Sequence, residues 1–180
     1  MSTRDMAAVV VSILAWAACC ASSVAQETPN LGRSVTPAEI AGWDISIPPD
    51  GTGLPPGSGT PAQGAVVYTQ KCQSCHGENG AGKPNDQLVG GQGTLTSAKP
   101  VRTIGSYWPY ASTVFDYVRR AMPYTQSKSL TNEEVYAVTA YLLHLNGIIG
   151  AQDEMNAQTL PQVKMLNRDN FIMIYPAKPK

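Results

Sequence analysis

Two stretches in the second half of the chain carry apolar residues at helical spacing. The apolar faces consist of Val135, Val138, Leu142 and Leu145 in residues 130–147, and of Val114, Phe115 and Val118 in residues 112–124. A repeat near 3.6 residues predicts amphipathic helices, each of which turns its apolar face toward a core. Pro123 should end the shorter helix, because proline has no N–H to donate within a helix.

Polar residues beside these patterns indicate where helices begin. The start signals are Thr60, Pro61 and Gln63 for one helix, and Thr131 and Glu134 for another. In both, the threonine can accept from the backbone while the residue three positions later reaches back, which is a capping box. Pro61 suits the first helical position. Gly147 suits a left-handed C-terminal cap, so the last helix should end there.

A weaker helix signal lies nearer the N-terminus, where Thr36 precedes Pro37 and Glu39. The stretch IPPDGTGLPPGSG follows it, and such a segment cannot build its own core. We therefore expect residues 26–59 to form an extended arm and residues 148–180 an irregular C-terminal tail. Segments of this kind either act as linkers or lie over another surface. Both could dock on a partner or wrap around the domain between them.

Residues 1–25 have the pattern of a secretory signal peptide. After a short polar start, residues 6–21 are almost wholly small or apolar, and a small-residue cleavage signal precedes Gln26. The run is shorter than the roughly 20 residues that a spanning helix needs, which favours cleavage over a retained membrane anchor. Lipid modification of Cys19 or Cys20 is a third alternative. We expect a periplasmic protein without a membrane span after cleavage.

The charge composition gives no sign of a nucleic-acid or membrane-surface partner. The 180 residues include 13 basic and 13 acidic side chains, with a formal net charge of +0. No polybasic run is present. The 14 prolines and 16 glycines agree with irregular arms around one modest domain.

The stretch KCQSCHGENG places Cys72, Cys75 and His76 at the spacing C-x-x-C-H. Removal of the leader would leave these two as the only cysteines of the four in the chain. A structural zinc site needs four ligands, and a thioredoxin-type dithiol follows a strand, for which no pattern precedes Cys72. A disulfide would leave the histidine unexplained. One covalent haem c, with two thioether bonds and a histidine ligand, is favoured over a redox or structural dithiol.

A second axial ligand of the haem iron must come from another part of the chain. Met122 precedes Pro123 at the exit of the shorter helix and is the preferred candidate, although methionines also fill cores. Met165 is the second candidate. His144 is the only other histidine, but its position opposite the apolar face of its helix favours a solvated side chain.

The order of capped helix, C-x-x-C-H, glycine-rich loop, M-P and final helix resembles a class I c-type cytochrome domain, over residues 60–147. The resemblance implies an all-α fold around one covalent haem. It also implies His76 as the proximal ligand and Met122 as the distal ligand. In this family a proline carbonyl in the loop after the motif accepts the imidazole N–H, and Pro84 is the matching residue. Such a bond makes the histidine a stronger donor.

Three longer phrases, TPAEIAGWDISIPPDGTGLPPGSGT, LVGGQGTLTSAKPVRTIGSYWPYASTVFDYVRRAMPY and LNRDNF, carry a second resemblance. They are similar to the cytochrome subunit of periplasmic molybdenum-containing sulfite or sulfane dehydrogenases in sulfur oxidation. The resemblance implies a molybdenum-cofactor subunit as electron donor and a downstream cytochrome or oxidase as acceptor. Some members carry two haems in a longer chain, whereas this sequence has one C-x-x-C-H motif.

The expected ligands predict electron transfer. A thioether prefers Fe(II), so a His/Met pair raises the reduction potential relative to two histidines. With both axial positions filled, the protein should relay single electrons without carrying out bond chemistry. A free periplasmic monohaem carrier is the alternative, and a haem enzyme or gas sensor with an open iron is a third hypothesis.

The haem propionates need polar partners. Arg119 and Arg120 are candidates for charge-assisted hydrogen bonds to them. Trp108, Tyr107 or Tyr110 from SYWPY would assist. Alternatively, one arginine is solvated and the aromatic residues lie in the core or face a partner.

Overall fold

The computed structural model describes residues 31–172 and residue 174. Its α-helices are α1 (Pro37–Trp43), α2 (Pro61–Lys71), α3 (Gln73–His76), α4 (Ala111–Ala121) and α5 (Asn132–Leu145). Short 3₁₀ helices span Glu78–Gly80, Tyr124–Gln126 and Leu160–Gln162, and the strands β1 (Ser58–Gly59) and β2 (Met155–Asn156) pair antiparallel. The structure is therefore mostly helical, as predicted, with one small strand pair that the sequence did not predict.

By its internal contacts the chain divides into residues 1–40 and residues 41–180. The predicted signal peptide, its cleavage site, Cys19 and Cys20 lie outside the described residues. Among the helices of the described part, none is long and apolar enough to cross a membrane.

The predicted helix starts are confirmed. In α2 and α5 the N-cap threonine accepts from the backbone three residues later, and the side chain of Gln63 or Glu134 accepts from the threonine N–H. Thr36 and Glu39 make the same exchange at α1. None of the residues of α1 is buried. This short helix therefore depends on its cap for local order, because it has no packed face.

The predicted end of α5 is also confirmed. Gly147 has φ +69°, the left-handed conformation that glycine adopts most readily. Its N–H donates to His144 O at 2.8 Å, and the N–H of Ile148 donates to Leu143 O at 3.0 Å. This pair of bonds is a Schellman motif, which satisfies the last carbonyl groups of the helix.

Helix α5 is buried over most of its circumference, although the sequence predicted a single apolar face. Val135, Val138 and Leu142 are buried as expected, but Leu145 is only half-buried. The remaining buried residues of α5 are Tyr136, Ala137, Thr139, Ala140 and Leu143. Other segments therefore pack around α5 on several sides, and small residues such as alanine allow close approach.

Helices α2 and α5 cross with their backbones in direct contact. A Cβ atom at Gly64 of α2 would overlap the backbone carbonyl of Ala137 and the side chain of Tyr141. A Cβ atom at Gly59, just before α2, would overlap the backbone N–H and Cα of Ala137. Only glycine leaves room for this approach. The crossing fixes where α2 ends, and that end leads directly into Cys72.

The segments before α2 and after α5 pack on the helices. We define residues 46–55 as the strap, which three hydrogen bonds hold to α4 and α5. With α4, the N–H of Ile47 donates to Asp116 Oδ1 at 2.9 Å, and Ser112 Oγ donates to Pro49 O at 2.8 Å. With α5, Tyr136 Oη donates to Pro55 O at 2.8 Å. The tail buries Met155, Leu160, Val163 and Met165. The hydrophobic core therefore includes residues on both sides of the predicted 60–147 domain.

Gly64→Ala should lower the free energy of unfolding by about 2 kcal/mol, the usual range for overpacking. The added methyl would overlap the Ala137 backbone, which outweighs the ~1 kcal/mol helix preference of alanine over glycine. Urea unfolding of the purified protein measures the change. Gly42→Ala in α1 is the matched control, because nothing lies within 4 Å of its added methyl, and it should not destabilise. Wild-type stability of Gly64→Ala would contradict the backbone contact.

Candidate functional site

The end of α2 places two cysteines and a histidine in one turn. Cys72 is the C-cap of α2 and the N-cap of α3. The backbone N–H groups of Cys75 and His76 both donate to the Cys72 carbonyl, at 3.1 and 3.0 Å. This short turn brings all three side chains to the wall of one cavity.

The glycine-rich loop after the motif folds back on this turn. Gly77 has φ +75°, and a Cβ atom there would overlap the carbonyl of Gly82. The N–H of Gly82 donates to His76 O at 2.8 Å, and the N–H of Asn85 donates to Cys75 O at 2.8 Å. The backbone of the motif is therefore bonded on the loop side as well as within its own helix.

Two tyrosines tie this loop to α2 and α5. Tyr68 of α2 is 1% exposed, and its hydroxyl donates to the carbonyl of Gly77 at 2.8 Å. Burial raises the pKa of Tyr68 to about 12, so the hydroxyl is a neutral donor at neutral pH. The ring of Tyr141 lies 5.4 Å from that of Tyr68, and its hydroxyl donates to Asn79 Oδ1 at 2.9 Å. The position of the loop thus depends on both helices of the crossing.

The cavity beside the turn has a volume of about 490 Å³ and is lined by residues from five segments. Its apolar walls are formed by Ile104, Trp108, Val114, Val118, Val138 and Leu142. The predicted site residues Cys72, Cys75, His76, Pro84, Trp108 and Met122 all line it. The volume lies in the range typical of small-molecule and cofactor sites.

The structure differs from the prediction in the hydrogen-bond partner of His76. Its Nδ1 lies 2.9 Å from the carbonyl oxygen of Asp86, so Nδ1–H donates there and Nε2 keeps the lone pair that a metal ligand needs. Pro84, the predicted acceptor, lines the cavity instead. The chain turns at Pro84, where the N–H of Lys83 donates to Asn85 O at 2.8 Å. As a result, the Asp86 carbonyl faces the imidazole.

The structure separates the candidates for the second axial ligand. Met122 is the C-cap of α4, is half-buried and lines the cavity. Met165 is 1% exposed, packs in the hydrophobic core and is not among the residues that line the cavity. His144 also lies outside the cavity wall. The sequence indicated a solvated His144, but the residue is half-buried, with Nδ1 3.3 Å from Ile149 O.

Arg119 and Arg120, the predicted partners of the haem propionates, are not among the residues that line the cavity. Arg120 pairs with Asp116, one turn earlier in α4. Arg119 lies near Tyr136. Burial raises the pKa of Tyr136 to about 12, although the charge of Arg119 acts to lower it. Positions 119 and 120 do not belong to the face with which α4 lines the cavity.

The loop before α4 supplies a cation that the sequence reasoning missed. Arg102 lines the cavity, and its guanidinium carbon lies 5.6 Å from the centroid of the Tyr107 ring. Lys71 is a second cation in the cavity wall. Trp108 lies in the same loop and packs edge-on against Tyr117 with centroids 5.8 Å apart. The available signal was the short separation between Arg102 and the aromatic run that contains Trp108.

The thiols of Cys72 and Cys75 are both free. Burial raises the pKa of Cys72 to about 11, and the neighbouring Cys75 adds a smaller effect in the same direction. This thiol is therefore uncharged at neutral pH. Addition of a thiol to a vinyl group gives a neutral thioether, which an apolar wall accommodates without a buried charge. Two thiols, an imidazole with a free Nε2 and a thioether sulfur therefore surround one apolar cavity. This donor set fits a covalently attached haem.

Comparisons with known proteins agree with this donor set. The family described as "Cytochrome C oxidase, cbb3-type, subunit III" matches residues 59–142. A chain in the crystal structure of the sulfane dehydrogenase SoxCD from Paracoccus pantotrophus is 43% identical, with a TM-score of 0.75, over 83% of this chain and 73% of that chain. This chain belongs to the c-type cytochromes. A comparison of the cytochrome with curated proteins gave no match.

Membership of this family implies haem c as the cofactor. Cys72, Cys75, His76 and Met122 are the residues of this cytochrome that would hold it. When bound, the haem supplies an iron that changes reversibly between Fe(II) and Fe(III).

Tyr68→Phe should lower the free energy of unfolding of the cytochrome by about 1–2 kcal/mol, because the partly buried carbonyl of Gly77 would lose its donor. Urea unfolding followed by the haem absorbance measures this loss. Tyr141→Phe removes an exposed hydrogen bond of the neighbouring ring and is the matched control, with an expected change below ~0.5 kcal/mol. Equal losses in the two variants would contradict a specific role of Tyr68.

Proposed function

We propose that this cytochrome carries one covalent haem c and relays single electrons. Cys72 and Cys75 form the thioether bonds, and His76 and Met122 are the axial ligands of the iron. The observation that carries the proposal is that these four side chains, from two distant parts of the sequence, line the same cavity of about 490 Å³. The bond from His76 Nδ1 to Asp86 O supports the choice of Nε2 as ligand.

The surroundings of the cavity favour a high reduction potential. A thioether ligand stabilises Fe(II) relative to a second histidine. The aliphatic walls from α4 and α5 disfavour the additional positive charge of Fe(III). With both axial positions filled by side chains, the protein exchanges electrons and leaves bond chemistry to its partners.

In this proposal the electron donor is a molybdenum-cofactor subunit that oxidises sulfite or a sulfane sulfur compound. The support is the 43% identity to a chain of the sulfane dehydrogenase SoxCD, together with the sequence phrases quoted above. A downstream cytochrome or oxidase accepts the electrons. The signal-peptide pattern of residues 1–25 supports a periplasmic location for this function. Exposed apolar side chains such as Trp43 and Ile172 offer contact surface for the donor.

A free periplasmic monohaem carrier is the second candidate. It is favoured by the strap and the tail, which bury Ile47 and Leu160 against helices of the same chain and so need no partner to cover them. A haem enzyme or gas sensor would require an iron that Met122 leaves open.

Addition of sulfite, and separately of a sulfane sulfur compound, to the natively purified cytochrome tests the proposed donor. Rapid reduction of the haem, seen in the visible spectrum, is expected with one of these substrates when the native preparation includes the dehydrogenase subunit. The separately expressed cytochrome is the control and should stay oxidised. A native preparation that contains no molybdenum and is reduced by neither substrate would reject the dehydrogenase partner in favour of the free carrier.

Met122→Ala should lower the reduction potential and allow rapid cyanide binding, because it removes the thioether ligand. Met165→Ala should do neither, but should lower the free energy of unfolding by about 2–5 kcal/mol by leaving a core cavity. A spectroelectrochemical titration and cyanide-binding kinetics distinguish the two variants. The reverse result would assign the ligand to Met165.

Arg102→Gln should lower the reduction potential by on the order of 50 mV. A cation near the haem disfavours Fe(III), so removal of the Arg102 charge stabilises the oxidised iron. Arg119→Gln, which removes an arginine outside the cavity wall, is the matched control and should shift the potential less. Both potentials are measured in the same redox titration at low salt. A larger shift for the Arg119 variant would restore the original sequence-based assignment.

A further inference from the structure

Helix α4 contacts the candidate haem cavity on one face and the strap on another. Val114, Val118 and Met122 line the cavity. Ser112 and Asp116 are 1% and 7% exposed, and their polar atoms bond to the strap. Because packed helices move as stiff units, a restraint on the strap side also limits movement on the cavity side.

Of the two bonds between α4 and the strap, that of Asp116 is buried and that of Ser112 is partly buried. The hydroxyl of Ser112 donates to the Pro49 carbonyl at 2.8 Å. Asp116 accepts from the N–H of Ile47 at 2.9 Å and pairs through its other oxygen with Arg120. Ile47 is 3% exposed, so water has little access to replace Asp116 as its acceptor. A hydrogen bond to a carboxylate is stronger than one between neutral groups.

The backbone of Met122 is bonded directly to α4. Met122 is the C-cap of α4, where its N–H donates to Val118 O at 3.0 Å. The next residue, Pro123, has no N–H to donate, and its carbonyl accepts from the N–H of Gln126 at 2.8 Å, within the chain that follows α4. The place of the methionine side chain therefore depends on how α4 as a whole is held against the rest of the protein.

We propose that Ser112 and Asp116 are positioning residues for Met122, acting through the strap and the body of α4. This inference rests on the proposed function, in which Met122 is the axial ligand. Neither residue lines the cavity, so neither would touch the haem. Loss of their bonds to the strap would let α4 shift and would raise the fraction of molecules in which the sulfur has left the iron.

The third side-chain bond to the strap provides an internal control. The hydroxyl of Tyr136 donates to the Pro55 carbonyl at 2.8 Å, but Tyr136 belongs to α5. Tyr136→Phe thus removes a strap bond of the same length and type as that of Ser112, without releasing α4. If the strap only stabilised the fold, loss of the Ser112 bond and loss of the Tyr136 bond would have equivalent effects.

The test compares the purified haem-containing variants Ser112→Ala, Asp116→Ala, Asp116→Asn and Tyr136→Phe with the wild type and with Met122→Ala. The readouts are the rate of cyanide binding to the oxidised protein, the reduction potential and the free energy of unfolding in urea. We expect cyanide binding to be about tenfold faster in Asp116→Ala, a factor that corresponds to about 1.4 kcal/mol. Ser112→Ala should show a smaller increase, and Asp116→Asn should restore most of the wild-type rate by keeping an acceptor for Ile47.

Tyr136→Phe should keep the wild-type cyanide rate and potential even if it unfolds at lower urea concentration. If Asp116→Ala yields no folded protein, Ser112→Ala and Asp116→Asn decide the question against Tyr136→Phe. Cyanide rates that follow stability alone, whichever helix lost its bond, would overturn the positioning role. If Met122→Ala itself binds cyanide no faster than the wild type, the proposed ligand is wrong, which is a separate outcome.

Discussion

The close backbone contact between α2 and α5 is the constraint on which the site depends. Gly59 and Gly64 allow this contact because any side chain there would overlap Ala137. It brings the end of α2, and with it the cysteines and His76, next to the face of α5 that carries Val138 and Leu142. One wall of the cavity and the turn that bears the donor groups are therefore positioned by the same crossing.

Another wall comes from α4, which is held from outside by the strap. A chain of this size has few helices with which to enclose a cavity, so it uses irregular segments for the same purpose. Ile47 from the strap and Leu160 from the tail are buried as deeply as residues of the helices. Polar groups on these segments bond to side chains of α4 and α5, so the extended backbone is satisfied without regular secondary structure. The irregular segments thus contribute to the cavity indirectly, by holding its walls.

Local signals made several parts of the structure predictable. The caps of α2 and α5 depend on residues three positions apart, and the C-x-x-C-H motif lies within a single turn. Features that depend on distant contacts were missed or wrong. The acceptor for His76 is Asp86 instead of Pro84, because a turn within the loop decides which carbonyl faces the ring.

The same limit explains the other errors. The arginines next to Met122 are close to it in sequence, but the helix directs Arg120 to Asp116, whereas Arg102 reaches the cavity from a separate loop. The burial of α5 on several sides depends on the strap and the tail, and their sequences alone did not distinguish packing from docking. The sequence therefore predicted which side chains could bind a haem, but it did not predict the path that each loop takes around the cavity.

We propose that Cys72 and Cys75 join one haem covalently to this cytochrome. Intact-mass spectrometry of the purified protein under denaturing conditions tests it most directly, with the Cys72→Ala, Cys75→Ala double variant as control. We expect a mass equal to the chain plus one haem in the wild type, even after denaturation, and the mass of the chain alone in the double variant. A haem that dissociates from the denatured wild type, or a mass with two haems, would contradict it.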